Sequence, residues 1–210
     1  AMLDAHKEAF AYGIGDMGAC RTHELIIEPD TDHPKHRKRY RLAKAEWDFI
    51  DQKCEELLAA GIIEPSTSQW AACTLLPPKK DIYGNWSEKR MVHDYRPLNT
   101  TLRNDPQPIP TASELFDMVG DASVFSSLDM RSGFYQLPVA PASRQYTAFW
   151  SSDRLFQYKF APMGIKHVPA VFQKAVAAAL EPCFDEVPAE DGSGRRVRRR
   201  FATCYIDDVL

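Results

Sequence analysis

The chain has 210 residues, 44% hydrophobic and 26% charged, which is enough to bury a core without staples in one domain or one domain with a small companion lobe. Its net charge of -3 gives nucleic-acid binding no support and does not exclude it, because such binding leaves a local footprint. Five widely spaced cysteines form no CxxC pair or Cys/His cluster, so nothing points to zinc or a secreted disulfide scaffold. The opening AMLDAHKEAFAYGIG lacks the progression of a signal peptide, and no apolar run reaches the roughly 18 residues of a membrane span.

Residues 1–44 read as extended and irregular, with a short strand in THELIIEPD (22–30). HPKHRKRYRLAK (33–44) is a basic run around Tyr40, either a solvated arm or a phosphate contact. AEWDFIDQKCEELLAAGII (45–63) is predicted helical, since Trp47, Ile50, Cys54 and Leu57 recur at helical spacing and Gly61 suits the position just past the end. WAACTLLPPKKDIYGNWSEKRMVHDYRPLN (70–99) reads as strand, turn, strand, packed on that helix. NDPQPIPTASELFDMV (104–119) is loop and then helix, with Thr111 and Glu114 spaced for a capping box. ASVFSSLDM (122–130) is a strand ending in an acid, and RSGFYQLPV (131–139) is a short helical turn or loop. QYTAFW (145–150) and LFQYKFA (155–161) are aromatic-rich strands, and VPAVFQKAVAAALEP (168–182) is a helix bounded by prolines. A polar link at 185–200 passes from acids to five arginines before FATCYIDDVL, a strand entering a tight turn. Helices mixed with antiparallel hairpins, without a βαβ repeat, predict an α+β fold.

The adjacent acids Asp207 and Asp208 need an explanation. Two unit charges about 4 Å apart repel by roughly 4 kcal/mol at an intermediate dielectric. Strand side chains alternate faces, so the pair shares a site only if the chain turns there; a surface turn with both acids in water is the plain alternative. Asp129 also ends an apolar strand, and strands 122–130 and 201–210 lying side by side would gather all three acids. A hard divalent ion such as Mg²⁺ would offset the repulsion, and two such ions would suit in-line phosphoryl displacement.

The segments YRLAKAEWDFIDQKCEELLAAGIIEPSTSQWAA, RMVHDYRPLN, PIPTASELFD, FSSLDMRSGFYQLPV, YTAF, FAPMGIKHVPAVFQ and YIDDVL occur in one order over roughly residues 20–210. In that order they resemble the fingers and palm of a reverse transcriptase (RNA-directed DNA polymerase) of the Ty3/gypsy-like LTR retrotransposons. The resemblance implies an antiparallel palm sheet packed on helices. It divides the chain into an extended basic arm (1–44), fingers (45–110) and a palm (111–210), with fingers strands returning at about 139–165.

The same resemblance makes Asp129, Asp207 and Asp208 the catalytic and metal-binding carboxylates for two Mg²⁺ ions, with Mn²⁺ an alternative. Asp129 and Asp207 would bridge the ions. Met130 and Arg131 would cradle the triphosphate, and Phe134 would crowd the sugar 2' carbon and reject ribonucleotides. Lys79 (with Lys80 as its rival) and Arg90 would meet the β- and γ-phosphates, Arg90 as a rigid fork of donors. Met163 and Gly164 would pack on the incoming nucleotide, Gln173 would lie near the template or the catalytic strand, and Asp94 and Arg96 would hold the fingers or touch template. Partners implied are an RNA or DNA template with its primer strand, deoxynucleoside triphosphates and the remainder of a retroelement polyprotein, with no membrane. The implied location is a cytoplasmic particle with nuclear access for the DNA product, although no targeting signal is read.

Three departures bear on these expectations. His167-Val168 stand where the family usually has a small or amide pair, and the segment 185–200 is longer than the family's. The chain also stops two residues after Asp208, which reads as a palm cut before its completion and before the thumb. The alternative function is therefore a catalytically inactive nucleic-acid-binding remnant, to which the arginines of GRRVRRR would contribute salt-dependent duplex binding.

Overall fold

The computed structural model describes residues 2–36, 38–80, 84, 86–103, 109–119, 123–188, 196–200 and 202–209. Helix α1 (Met2–Ala5) precedes an extended arm, and α2 (Lys44–Ala59) leads into β1 (Ile63–Pro65), β2 (Cys73–Leu75), β3 (Pro78–Lys80), β4 (Trp86–Lys89) and β5 (Val92–Asp94). Then come α3 (Arg96–Asn99), α4 (Ala112–Val119), β6 (Leu128–Asp129), β7 (Phe149–Trp150), β8 (Leu155–Tyr158) and α5 (Val168–Ala179). The last described elements are two hairpins, β9 (Phe184–Pro188) with β10 (Arg196–Arg200), and β11 (Cys204–Tyr205) with β12 (Asp208–Val209). Ladders between these strands are all antiparallel, in the orders β1-β8-β7, β2-β5, β3-β4, β9-β10 and β11-β12-β6. The expected α+β arrangement is present. Among the described residues no helix is long and apolar enough to cross a membrane.

Helix α2 forms as its periodicity predicts, burying Ile50, Cys54 and Leu57. It stops because Gly61 takes φ +71. The amides of Gly61 and Ile62 then turn back to the carbonyls of Leu58 and Leu57, at 3.0 and 2.9 Å, the paired closure that a glycine just beyond a helix permits. At α4, Thr111 and Glu114 form the full capping box: Glu114 Oε2 accepts from the Thr111 amide (2.6 Å), and the Glu114 amide donates to Thr111 Oγ1 (3.3 Å).

The core centres on Phe149, Phe156 and Tyr158 from β7 and β8, with Ile50 from α2 and Leu25, Ile27, Leu137 and Val139 from the connecting segments. Residues 22–30 are extended, with Leu25 and Ile27 inside and Ile26 54% exposed, yet they make no strand. Single bridges to Val139 and Leu102 replace a ladder, because Pro29 and Pro138 remove donors that a ladder needs.

The basic run is pinned rather than loose. His36 bridges to Ala71, the Cys73 thiol donates to the Lys38 carbonyl at 3.0 Å, and Arg39 donates to the Ser152 carbonyl. The Arg39 guanidinium stands 6.0 Å and 5.4 Å from the ring centres of Trp47 and Trp150, within cation–π range of both.

The expected hairpin over 70–99 is built from β2–β5 and β3–β4, with a register shift between Pro78 and Lys79. A 2.7 Å ion pair from Lys89 to Glu46 ties it to α2. Residues 81–83 and 85 at its turn lie outside the described residues. Three other expectations change. Only Leu128–Asp129 of 122–130 is strand, because β12 offers it just two partners. Residues 145–147 belong to a 3-10 turn starting at Pro141, which the Thr147 hydroxyl closes on the Arg144 carbonyl at 2.7 Å. The polar link at 185–200 includes an antiparallel ribbon whose backbone register sets Arg198 opposite Glu186 and Arg199 opposite Asp185.

His93 lies inside the β2–β5 sheet, its Nε2 2.8 Å from the Tyr158 hydroxyl, its Nδ1 3.2 Å from Thr74 Oγ1 and its ring centre 4.0 Å from that of Phe149. Burial pushes its pKa down to about 3. The unfolded chain therefore takes up a proton near the ordinary histidine value of about 6.5 while the folded chain does not. Stability from the neutral ring is complete above that value and falls as the pH drops toward about 3. Urea unfolding at about pH 7 and about pH 4.5 should show a smaller difference in stability for His93→Gln than for the unmodified chain. An unchanged difference would show that this ring does not contribute.

Candidate active site

Two-residue strands and a two-residue turn build the site. Tyr205 pairs with Asp208 across the turn Ile206–Asp207, and Asp208 pairs in turn with Asp129 of β6. Directly opposed residues of an antiparallel pair share a face about 4.5–5.5 Å apart, so Asp129 and Asp208 are neighbours, with Asp207 next to them at the turn. All three are exposed. Like charges directly opposed across strands are destabilising, so contacts from outside the ladder must hold this arrangement.

Those contacts come from α5 and from the turn after β6. The Met130 amide donates to the Asp207 carbonyl at 2.9 Å, joining β6 to the turn. Buried Gln173 reaches from α5, its Nε2 donating to the Cys204 carbonyl at 2.9 Å and its Oε1 accepting from the Ile206 amide at 2.6 Å. Ile206 holds φ +57, left-handed backbone that a β-branched residue rarely adopts. Gly133 opens the 3-10 turn after β6 and packs so closely that an added Cβ would lie 2.7 Å from Phe172 Cζ and 3.5 Å from Asp207 Cβ.

The other expected site residues fall in separate places. Phe134 is half-buried, edge-on to Phe172 with ring centres 5.3 Å apart, one residue from Gly133. Met130 donates its amide to the Asp207 carbonyl, and Arg131 beside it is exposed. A cavity of about 680 Å³ beside β6 is lined by Asp129, Met130, Arg131, Phe172 and Val209, among others, but not by Phe134, Arg90, Met163 or Gly164. Arg90 is exposed just past β4, its amide on the Pro77 carbonyl at 3.1 Å. The backbone of Lys79 pairs with Ser87, while the side chains of Lys79 and Lys80 lie outside the described residues.

Met163 is 55% exposed, and Gly164 takes φ +98, with space for a Cβ only 3.4 Å from the His93 carbonyl. Sequence reasoning did not single out Asn99, which holds this loop. Its Nδ2 donates to the Gly164 carbonyl at 2.8 Å and its Oδ1 accepts from the Lys166 amide at 2.9 Å. His167 joins in, its Nε2 donating to the Arg103 carbonyl at 2.7 Å, so the departure at 167 adds a tether. Asp94 is buried and takes a two-pronged ion pair from Arg96 at 2.7 and 2.8 Å, which stiffens the turn into α3.

Three exposed aspartates fit a hard divalent cation in donor chemistry and in register. Among the described residues, however, no three His, Cys, Asp or Glu side chains stand close enough together to hold a metal ion. Closing round one requires the carboxylates to swing on their side-chain torsions, and their exposure leaves room for that.

A family profile described as reverse transcriptase (RNA-dependent DNA polymerase) matches residues 77–210. The genome polyprotein of Petunia vein clearing virus (isolate Shepherd) is 37% identical over 159 residues, 76% of this chain and 7% of that polyprotein. The retrovirus-related Pol polyprotein from transposon 412 of Drosophila melanogaster is 35% identical over 180 residues, 85% of this chain and 13% of its own length. The chain thus spans a small part of these relatives. A crystal structure of prototype foamy virus protease-reverse transcriptase (CSH mutant) superposes with TM-score 0.75 at 20% identity, covering 99% of this chain and 25% of that one. The foamy viral enzyme in complex with RNA/DNA hybrid superposes with TM-score 0.72 at 20% identity, over 99% of this chain and 25% of that one. The fold is the one those structures share.

Gly133→Ala should destabilise the chain by about 1–3 kcal/mol through overpacking against Phe172. Adding Phe172→Leu should recover part of that loss in denaturant unfolding. Independent, additive effects of the two substitutions would contradict the contact.

Proposed function

The chain belongs to the reverse transcriptase (RNA-dependent DNA polymerase) family, and on that premise we propose that it carries the fingers and palm of an RNA-directed DNA polymerase extending a primer 3'-hydroxyl by two-metal phosphoryl transfer. The observation that carries this reading is the register of Asp208 against Asp129 with Asp207 at the adjoining turn. Fingers at about 45–110 with returning strands at about 139–165, and palm at about 111–210, are the matching division.

Asp129, Asp207 and Asp208 would hold two divalent ions, Mg²⁺ first, which supply an activated hydroxyl nucleophile and offset charge on the transferring phosphoryl group. The residues of the chain bind and orient. Arg90 offers its fork to the triphosphate, Lys79 adds a mobile charge, and Arg131 provides the backbone approach near β6. Phe134, braced edge-on by Phe172, presents a ring against the sugar 2' position. Met163 and Gly164 close on the base from the loop that Asn99 holds. An RNA or DNA template paired with a primer is the partner.

Primer extension on an RNA template with Mg²⁺, in the full reading frame that contains this chain, tests the assignment. Asp129→Asn should lower turnover by on the order of 10³-fold with primer–template binding retained. Turnover unaffected by that change would refute the polymerase reading, and salt-dependent duplex binding indifferent to all three acids would leave a binding function alone. Phe134→Ala should raise ribonucleotide incorporation relative to deoxyribonucleotide by about 10-fold or more, since the ring's bulk is what excludes the 2'-hydroxyl. An unchanged ratio would remove Phe134 from that role.

A further inference from the structure

We propose that Gln173 is a positioning residue for the acid-bearing hairpin. It holds Ile206 in its left-handed conformation and thereby sets Asp207 against Asp129 and Asp208. This rests on the reading of those three carboxylates as the metal-binding set.

In the order β11-β12-β6, β11 is the outer of the described strands. The Gln173 amide supplies one donor and one acceptor to Cys204 and Ile206, two residues apart on one edge, as a neighbouring strand's peptide would. A hairpin of two-residue strands is too short to hold itself, and its turn places a β-branched residue at φ +57. The Ile206 amide is the group the turn must orient, and its 2.6 Å bond to Gln173 Oε1 fixes it. The preceding residue of α5, Phe172, packs on Gly133 beside Asp207. One stretch of α5 therefore grips the hairpin from its outer edge and the turn after β6 from its ring face. Burial of Gln173, at 6% exposure, keeps water from competing for both bonds.

A packing residue and a positioning residue differ in what rescues their loss. Glycine takes a left-handed φ without strain, so Ile206→Gly lowers the need for the amide while leaving the loss of its bulk uncorrected. The probe is Mn²⁺, titrated into the purified chain and followed by its electron paramagnetic resonance signal. Gln173→Met should weaken Mn²⁺ binding by about 10–100-fold, the usual effect of losing a group that orients a ligand. Gln173→Met with Ile206→Gly should return to within about threefold of Ile206→Gly alone. Weakening with no recovery in the double variant assigns Gln173 to packing and overturns the proposal, as does unchanged binding in Gln173→Met. If Gln173→Met does not fold by circular dichroism, Gln173→Glu decides, since it keeps the acceptor for Ile206. Binding within about threefold of the unmodified chain supports the proposal, and a tenfold loss overturns it. Asp129→Asn separates the two readings: if it leaves Mn²⁺ binding intact, the carboxylate assignment itself fails, and if it weakens binding while Gln173→Met does not, only the positioning role fails.

Discussion

Like charges opposed across a ladder are destabilising, and the register of Asp208 against Asp129, with Asp207 at the adjoining turn, has to be held against that repulsion. The strands that carry them are two residues long, so their own hydrogen bonds supply little restraint. Position is imposed from outside: by the Met130 amide on the Asp207 carbonyl, by Phe172 against Gly133, and by the amide of Gln173 along the outer side of β11. These restraints are neutral groups, so none of them neutralises the acids.

The same device recurs at the loop carrying Met163 and Gly164. There Asn99 plays the part of a strand edge, donating to Gly164 and accepting from Lys166. In both places a side-chain amide with one donor and one acceptor holds irregular backbone that a ladder cannot reach. Amides suit this task because they satisfy both kinds of backbone group without bringing charge next to phosphates or carboxylates.

How far the sequence declares these features depends on the range of the interaction. Helix α2 and its end at Gly61 are legible, since spacing and a glycine at the right offset act within a few residues. The capping box of Thr111 and Glu114 is local in the same way. The meeting of Asp129 with Asp208 is only one option on local physics, beside a surface turn, and it is the ordered motifs and the family they resemble that favour it. The resemblance places Gln173 near the template or the catalytic strand, but the backbone groups it meets 31 residues away, and the clamp of Asn99 across 65, are not legible, because a single amide on a helix carries no sign of them. The strand expected at 22–30 failed because Pro29 within it and Pro138 opposite it withdrew donors from the ladder. The ribbon of β9 and β10 was hidden because a pair of acids followed by a run of arginines reads as a linker until the backbone pairing is known.

Leu25 and Ile27 lie at the bottom of the core, yet the Ile27 amide finds the Ser143 hydroxyl 116 residues further along the chain. During synthesis at roughly 5–20 residues per second, these apolar side chains wait roughly 6–20 seconds for the segment that covers them. Closing so long a loop also places the final assembly of the core late in folding. The arm that carries Leu25 and Ile27 is therefore fastened late, although it is made before the segment that covers it. Until it docks, a nascent chain of this protein presents a sticky extended segment to whatever chaperone or neighbouring chain stands nearest the ribosome.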